Sequence, residues 1–464
     1  MDSDEAPTTP SGFAYLVMPR FADARATRGR SEFERDQDRI IFSTAFRRLN
    51  DKTQVFPVPE SYFVHNRMTH SLETSAVGRS LGSIVGERVL EPRYGVAAPG
   101  SGESGRPQWG SEESRLLGDL VRAACLAHDI GNPPFGHSGE DAMSAFFRGR
   151  ADLLSGLSRS EAEEFRRFEG NAQGLRVISR ISPDLRLTAN TIAAFTKYPR
   201  QALVEGWIEP EYEARRDMKK YGAFASEAAT LEGILTKFGS RRLASPGFAL
   251  SRFPFAWLVE AADDICYLII DLEDAVRLRI VRLSEVEPLL EAIVRADPEG
   301  LPDLKRASQG DESQRMAFWR AKAINSLVFQ CAEAFGKHVD GIGEGSWGGS
   351  LVQEIPGAAA LEAVRRLSEE RIYRDRPVLE IEAAGFEVLG GLLDIFTSVA
   401  LEPPASRGVR ASTILEILPA IAPREGEDRY QTLRRVTDYA AGMTDSYALS
   451  LYRKLKGVAL PRMY

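Results

Sequence analysis

Apolar residues recur at intervals of three and four along most of this chain, as at Leu116, Leu117, Leu120, Val121 and Ala124, a spacing that lines one face of an α-helix. Alternating apolar and polar runs bounded by Asn-Gly or Asp-Gly turns are nearly absent, so the pattern predicts an all-α protein without a central sheet. Breaks in the pattern divide the helices. Residues 91–114, rich in Gly, Pro and Ser, read as a surface loop between a helix carrying His70 and one ending at His128. Residues 340–350, with five glycines, and 402–412, with Pro403-Pro404 and Gly408, read as further loops. No internal repeat is evident. The expected organisation is one helical body, with an N-terminal arm over residues 1–65, a core over 66–280 and a helical C-terminal region over 281–464.

The 464 residues are 43% hydrophobic and 27% charged, an ordinary composition for a chain with a large buried core. A net charge of -7 argues against a molecule coated in nucleic-acid-binding surface, though it leaves room for a basic cleft. Cys125, Cys266 and Cys331 lack the close pairing of a zinc ribbon or a disulfide framework, which points to a reduced, intracellular compartment. The start, Met1-Asp2-Ser3-Asp4-Glu5, is acidic where a signal peptide is basic, and no uninterrupted apolar run reaches the roughly 20 residues of a bilayer span. The expectation is a cytoplasmic protein with no membrane partner.

Chemistry concentrates in the run from His128-Asp129 through Gly131-Asn132-Pro133-Pro134-Phe135-Gly136 to His137-Ser138-Gly139-Glu140. Neutral imidazole and carboxylate suit a divalent cation, and a helix broken just after two adjacent ligands can turn both toward one ion. Upstream, Arg67 and His70 stand three apart on one helical face. Downstream, Asp263-Asp264 sits among apolar residues of a long helix, so one acid is expected to point inward and need a cation, the other to face solvent. A lone histidine beside apolar residues is more often structural than a ligand. Here four of the five histidines fall in two segments beside acids or Arg, and that clustering favours a metal centre. The fifth, His338, reads as a surface residue near a helix end. Cys125 and Cys266 read as small core residues.

The ordered set His70, His128-Asp129 and Asp263 resembles that of the HD-domain metal-dependent phosphohydrolases. The surrounding segments resemble the deoxyguanosinetriphosphate triphosphohydrolases in particular. These are Phe46-Arg47-Arg48-Leu49, Lys52-Thr53-Gln54-Val55-Phe56-Pro57, Arg67 to Glu73, His128 to Glu140, Phe168-Glu169-Gly170-Asn171-Ala172-Gln173-Gly174, Ser251-Arg252-Phe253-Pro254, Glu260 to Asp264, and Asp271-Leu272-Glu273-Asp274-Ala275-Val276. The block from Asp438 to Asp445 extends the similarity toward the C-terminus, while residues 298–420 match nothing recognisable.

The resemblance implies addition of water at the α-phosphorus of a deoxynucleoside triphosphate, dGTP first among them, releasing deoxynucleoside and intact triphosphate. It implies one divalent metal ion, Mn²⁺ or Mg²⁺, on His70, His128, Asp129 and Asp263. His137 and Glu140, at i and i+3, are the expected acid–base pair, with the carboxylate orienting the imidazole; the alternative is a capping arrangement at the next helix. Lys197 and Lys220 match phosphate-contacting positions, Gln54 and Asn171 match positions lining the nucleotide pocket, and Arg67 is grouped with them. Tyr267 and Asp271 match the residues that pack beneath the deoxyribose and accept from its 3′-hydroxyl. Tyr221 stands where the enteric pattern has Pro after its lysine pair. The family includes rings of six, so a homo-oligomer is expected, a hexamer among the options, with single-stranded DNA a candidate effector. Two alternatives remain: an HD phosphohydrolase acting on another nucleotide ester, and a nucleotide- or single-strand-sensing protein that keeps the fold for binding.

Overall fold

The computed structural model describes residues 29–56, 64–95, 109–204, 214–244, 247–298 and 309–459. Its principal helices are α1 (Glu32–Phe42), α2 (Arg67–Val85), α3 (Ser111–Ala127), α4 (Gly136–Gly149), α5 (Gly170–Arg176), α6 (Ala189–Phe195), α7 (Ala256–Arg277), α8 (Leu283–Ala296), α9 (Glu312–Glu344), α10 (Arg376–Leu401), α11 (Arg429–Ala441) and α12 (Asp445–Leu455). The described residues contain no strand, only isolated bridges such as Thr53 with Asn66, so the chain is all-α as its periodicity predicts.

The loops are shorter than the composition suggests. Of 91–114, Glu91–Tyr94 continues the helical path beyond α2 and α3 begins at Ser111; residues 96–108 lie outside the described residues. Helix α9 absorbs the first glycines of 340–350 and ends only at Gly345, whose φ of 71° caps it. Residues 404–406 form a single helical turn, and another helix starts at Val409. His338 is not a surface residue at a helix end: half-buried inside α9, its ring stacks on Trp347 at 5.1 Å.

Two large apolar cores lie among the described residues, beside a small third cluster around Val204, Met218 and Leu243. The first joins α2, α3, α7, α8 and α9 through side chains such as Leu81, Leu117, Leu120, Ile265, Ile269, Leu290 and Leu327. Helices α2 and α3 approach closely because their contact is bare of side chains: a Cβ on Gly82 would lie 3.0 Å from Gly118 Cα, and one on Gly118 2.3 Å from Ser83 Oγ. Closer to the site, a Cβ on Gly78 would meet Cys125 Sγ, so Cys125 serves as the small buried residue expected of it.

The second core packs α4 and α11 against α10, with Met143 and Phe147 of α4, Leu433 and Val436 of α11 and Leu389, Leu392, Leu393 and Phe396 of α10 in one apolar cluster. Each such side chain contributes roughly 1.5–3 kcal/mol on burial, against about 0–1 for an exposed ion pair such as Arg150 with Asp394. Apolar packing therefore fastens α10 to α4. This explains why α10, the one described helix long and apolar enough to cross a bilayer, has 56% of its most apolar window buried. Packing thus joins α4, within 66–280, to 281–464, and places the His70 and His128 helices in one core and the His137 helix in the other.

Candidate active site

Each expected ligand sits at a helix end or on a helix face that the local sequence fixes. Asn66 caps α2 by accepting from Thr69 N–H while Thr69 returns a bond to Asn66 N–H, which sets the first turn carrying Arg67 and His70. Helix α3 stops at Ala127, so His128 and Asp129 fall on the turn beyond it. Asp263 projects from the middle of α7.

These elements converge. His70 Nε2 lies 3.0 Å and His128 Nε2 3.3 Å from Asp263 Oδ1, with the two imidazole centroids 5.2 Å apart. Ligand atoms from all three residues lie within 4.8 Å of one another. His128 Nδ1 stands 2.7 Å from the Cys125 carbonyl, which can only accept, so Nδ1 carries the proton and the Nε2 lone pair faces Asp263 and His70. That buried Nε2 has no hydrogen-bond partner of its own, which fits a place for a cation. Asp129 lies at the edge: Oδ1 is 3.6 Å from His128 Nε2, while Oδ2 accepts from Arg67 Nη1 at 2.9 Å and Oδ1 from Asn132.

The electrostatics keep both acids ionised. Burial raises the Asp129 carboxyl, but the Arg67 guanidinium beside it, first among the groups that oppose burial, brings it down to about 2. Asp263, half-buried, is held well below its ordinary range by the Lys197 ammonium and by His128 and His70. Lys197 donates to Asp263 Oδ2, and its backbone carbonyl accepts from Arg252 Nε at 2.7 Å. Arg252 is fully buried, 3.8 Å over the Trp257 ring and bonded to Glu260.

A surface place for Asp264 is not what the structure has. Both acids of the pair turn in, and Arg216 reaches Asp264 Oδ2 at 2.7 Å and Glu260 Oε1 at 3.0 Å. Burial with Glu260 and Asp263 nearby raises the Asp264 carboxyl to about 6 against the pull of Arg216. The partner comes from 48 residues upstream, beyond the reach of helical spacing.

The second group surrounds His137, whose side chain is 74% exposed and whose Nδ1 lies 2.9 Å from Glu140 Oε2. Glu140 Oε1 accepts from Gly170 N–H at 2.6 Å. Burial opposes ionisation of Glu140, but His137 and Lys220 hold it at about 2. Lys220 Nζ stands between two carboxylates, 3.7 Å from Glu140 and 3.3 Å from Glu169. Glu169, which also accepts from Asn171 Nδ2 at 2.6 Å, is raised to about 7 by burial and by Glu140. Tyr221 is compatible with this loop: it is buried and donates to the Glu164 and Arg167 carbonyls.

A third group lies along α7. Tyr267 stacks on Tyr373, centroids 5.8 Å apart, and Tyr373 Oη donates to Asp271 Oδ2 at 2.9 Å. Tyr373 comes from the stretch where no motif was legible. Gln54 follows Thr53, which bridges to Asn66, so the arm runs beside the start of α2; the buried Gln54 Oε1 has no partner.

His65, counted in the histidine clustering, is not with the ligands. It pairs with Asp274 at 2.9 Å and Glu73 at 3.3 Å. Burial lowers its affinity for a proton, but bonds to Asp274 and Glu73 outweigh this and raise it to about 10. A folded-state value above the unfolded 6.5 contributes stability that is fully present below pH 6.5 and lost as pH rises through about 10. The melting-temperature deficit of His65→Ala against the parent should therefore shrink across that window. A deficit independent of pH would mean the ring is neutral in the fold.

The chain is similar to known proteins over most of its length. The HD domain model matches residues 67–228 and the phosphohydrolase-associated domain model matches residues 355–454, so much of the stretch that matched nothing recognisable carries a family pattern after all. The chain is 38% identical to a deoxyguanosinetriphosphate triphosphohydrolase-like protein of Synechocystis sp. and 39% to one of Pseudomonas aeruginosa, in each case over 93% of this chain and 95% of the relative. It is 32% identical to the deoxyguanosinetriphosphate triphosphohydrolase of Salmonella typhimurium, over 92% of this chain and 94% of that protein.

Proposed function

This chain belongs to the deoxyguanosinetriphosphate triphosphohydrolase-like family of HD-domain phosphohydrolases, and from that premise we propose that it hydrolyses deoxynucleoside triphosphates, dGTP foremost, to deoxynucleoside and inorganic triphosphate. The observation that carries the reading is the row on α7. Asp263 stands at one end, with Tyr267 and Asp271 one and two turns further along and Tyr373 closing over both. One turn is about 5.4 Å, so a sugar against Tyr267 has its 5′-ester close to the ligand end. The phosphorus nearest that end is the α-phosphorus, whose cleavage from the 5′-oxygen leaves the triphosphate whole.

His70, His128 and Asp263, with Asp129 at their edge, would hold the divalent ion, Mn²⁺ or Mg²⁺. Such an ion supplies Lewis-acid neutralisation of charge on the phosphate oxygens. Lys197 and Lys220 stay protonated, because Asp263 for the first and Glu140 with Glu169 for the second outweigh burial. Both can exchange those carboxylates for phosphate oxygens. Water forms a bond to the α-phosphorus, the bond to the 5′-oxygen breaks, and that oxygen must gain a proton. His137, exposed and bonded to Glu140, is the group to which we assign that transfer.

Incubation with each dNTP and Mn²⁺ or Mg²⁺, with products resolved by ion exchange, tests the reading. Triphosphate is expected; pyrophosphate or phosphate as the first product would overturn it. Tyr267→Ala should narrow the preference for dGTP over GTP by about tenfold or more, the scale on which a pocket discriminates by shape. Asp271→Asn should weaken use of dGTP more than of its 3′-deoxy analogue. If Tyr267→Ala rejects GTP as strongly as the parent, the sugar is selected elsewhere.

A further inference from the structure

The turn that presents His137 is one the chain would not adopt alone. Pro133 and Pro134 have no N–H to contribute to regular structure. The next two residues are both left-handed, Phe135 at φ 63° and Gly136 at φ 59°. Glycine takes that region freely, but a phenylalanine there is strained and persists only where its surroundings enforce it. Helix α4 starts from this residue without a side-chain cap.

What enforces it comes from the arm and the C-terminal helices. Phe135 N–H donates to Asp445 Oδ1 at 2.9 Å. The other oxygen of that carboxylate accepts from Thr53 N–H at 2.9 Å and Thr53 Oγ1 at 2.6 Å. The Phe135 ring lies against α10 where Gly385 leaves room, since a Cβ there would be 3.0 Å from Phe135 Cβ. Buried Lys52 donates to the Asn132 carbonyl on one side and the Ala441 carbonyl on the other. One short loop is thus clamped between residues 52–53 and 441–445, two residues before His137.

We propose that Asp445 is a positioning residue for the His137–Glu140 pair. By fixing the Phe135 turn it sets where α4 begins, and through it the C-terminal helices control proton transfer without touching the nucleotide. The inference rests on the proposed role of that pair. His137 has most of its surface in solvent and one hydrogen-bonded partner, Glu140 of the same helix, so its position follows the backbone that Asp445 holds.

Asp445→Ala should lower kcat at least tenfold with KM within threefold and bound metal unchanged. In a His137→Ala background the same substitution should cost nothing further, because a positioning residue loses its effect once the group it positions is gone. Amide exchange across 132–140 should accelerate while that of α7 stays as in the parent. Should Asp445→Ala fold poorly, Asp445→Asn, which keeps one acceptor oxygen, should give the same pattern with a smaller loss. Overturning results are a kcat within twofold of the parent, an equal further loss in the His137→Ala background, or unchanged exchange at 132–140. The exchange measurement needs no substrate, so it judges the clamp even if His137→Ala itself keeps full turnover, the outcome that would instead sink the acid–base assignment.

Discussion

His128→Ala and Asp263→Ala are each expected to lose the bound metal and to lower turnover about a thousandfold or more. The reasoning starts from donor geometry. Three ligand atoms within 4.8 Å are sufficient to hold a cation only together, and two of them converge on the same Asp263 oxygen. Removing His128 takes away the ring nitrogen whose lone pair has no other use; removing Asp263 takes away the anion that both imidazoles face. Charge neutralisation by a metal at a phosphate is worth several kcal/mol, and about 4 kcal/mol is already a thousandfold in rate. The fold should survive metal loss. In His128→Ala, Lys197 stays on Asp263 and Arg67 on Asp129, whereas Asp263→Ala also leaves Lys197 without its carboxylate and should lose thermal stability on that account. Chelation of the parent should lower stability only by the linkage of the lost ligand. Elemental analysis decides the assignment: full occupancy in both variants would remove these residues from the metal site.

What was legible in the sequence was whatever lay close together along it. His128-Asp129 beside Gly131-Asn132-Pro133-Pro134, and Asp263, Tyr267 and Asp271 at helical spacing, announce themselves because a helix turns neighbours of known offset to one face. The all-α class follows from the same periodicity. Partners that only tertiary closure supplies were invisible. Tyr373 reaches Asp271 across 102 residues, Asp445 reaches Phe135 across 310, and Arg216 draws in an acid that spacing alone sends to solvent. His65 shows the opposite error: it lies near ligands in sequence, yet Asp274 and Glu73 claim it. Loop composition also misleads where helices tolerate glycine, as α9 does at Gly341 and Gly343.

His137→Ala and Glu140→Ala should each lower turnover by about 10²–10⁴-fold while metal stays bound, the range typical of general acid–base groups. The two should differ in every other respect. His137 is three-quarters exposed, so its removal should leave thermal stability where it was. Glu140 is buried, accepts from Gly170 N–H and balances Lys220 with Glu169. Its loss orphans a buried N–H and should cost about 1–3 kcal/mol in stability as well as activity. Glu140→Gln separates the two, because the amide oxygen can still accept from Gly170 while the charge that orients and polarises the imidazole is gone. That variant should recover most of the stability and little of the turnover. Glu140 is held at about 2, so it stays ionised through the working pH range and cannot set the acidic limb of the rate profile. If both single variants turn over within a few-fold of the parent, the pair only caps α4 and the proton moves through another group.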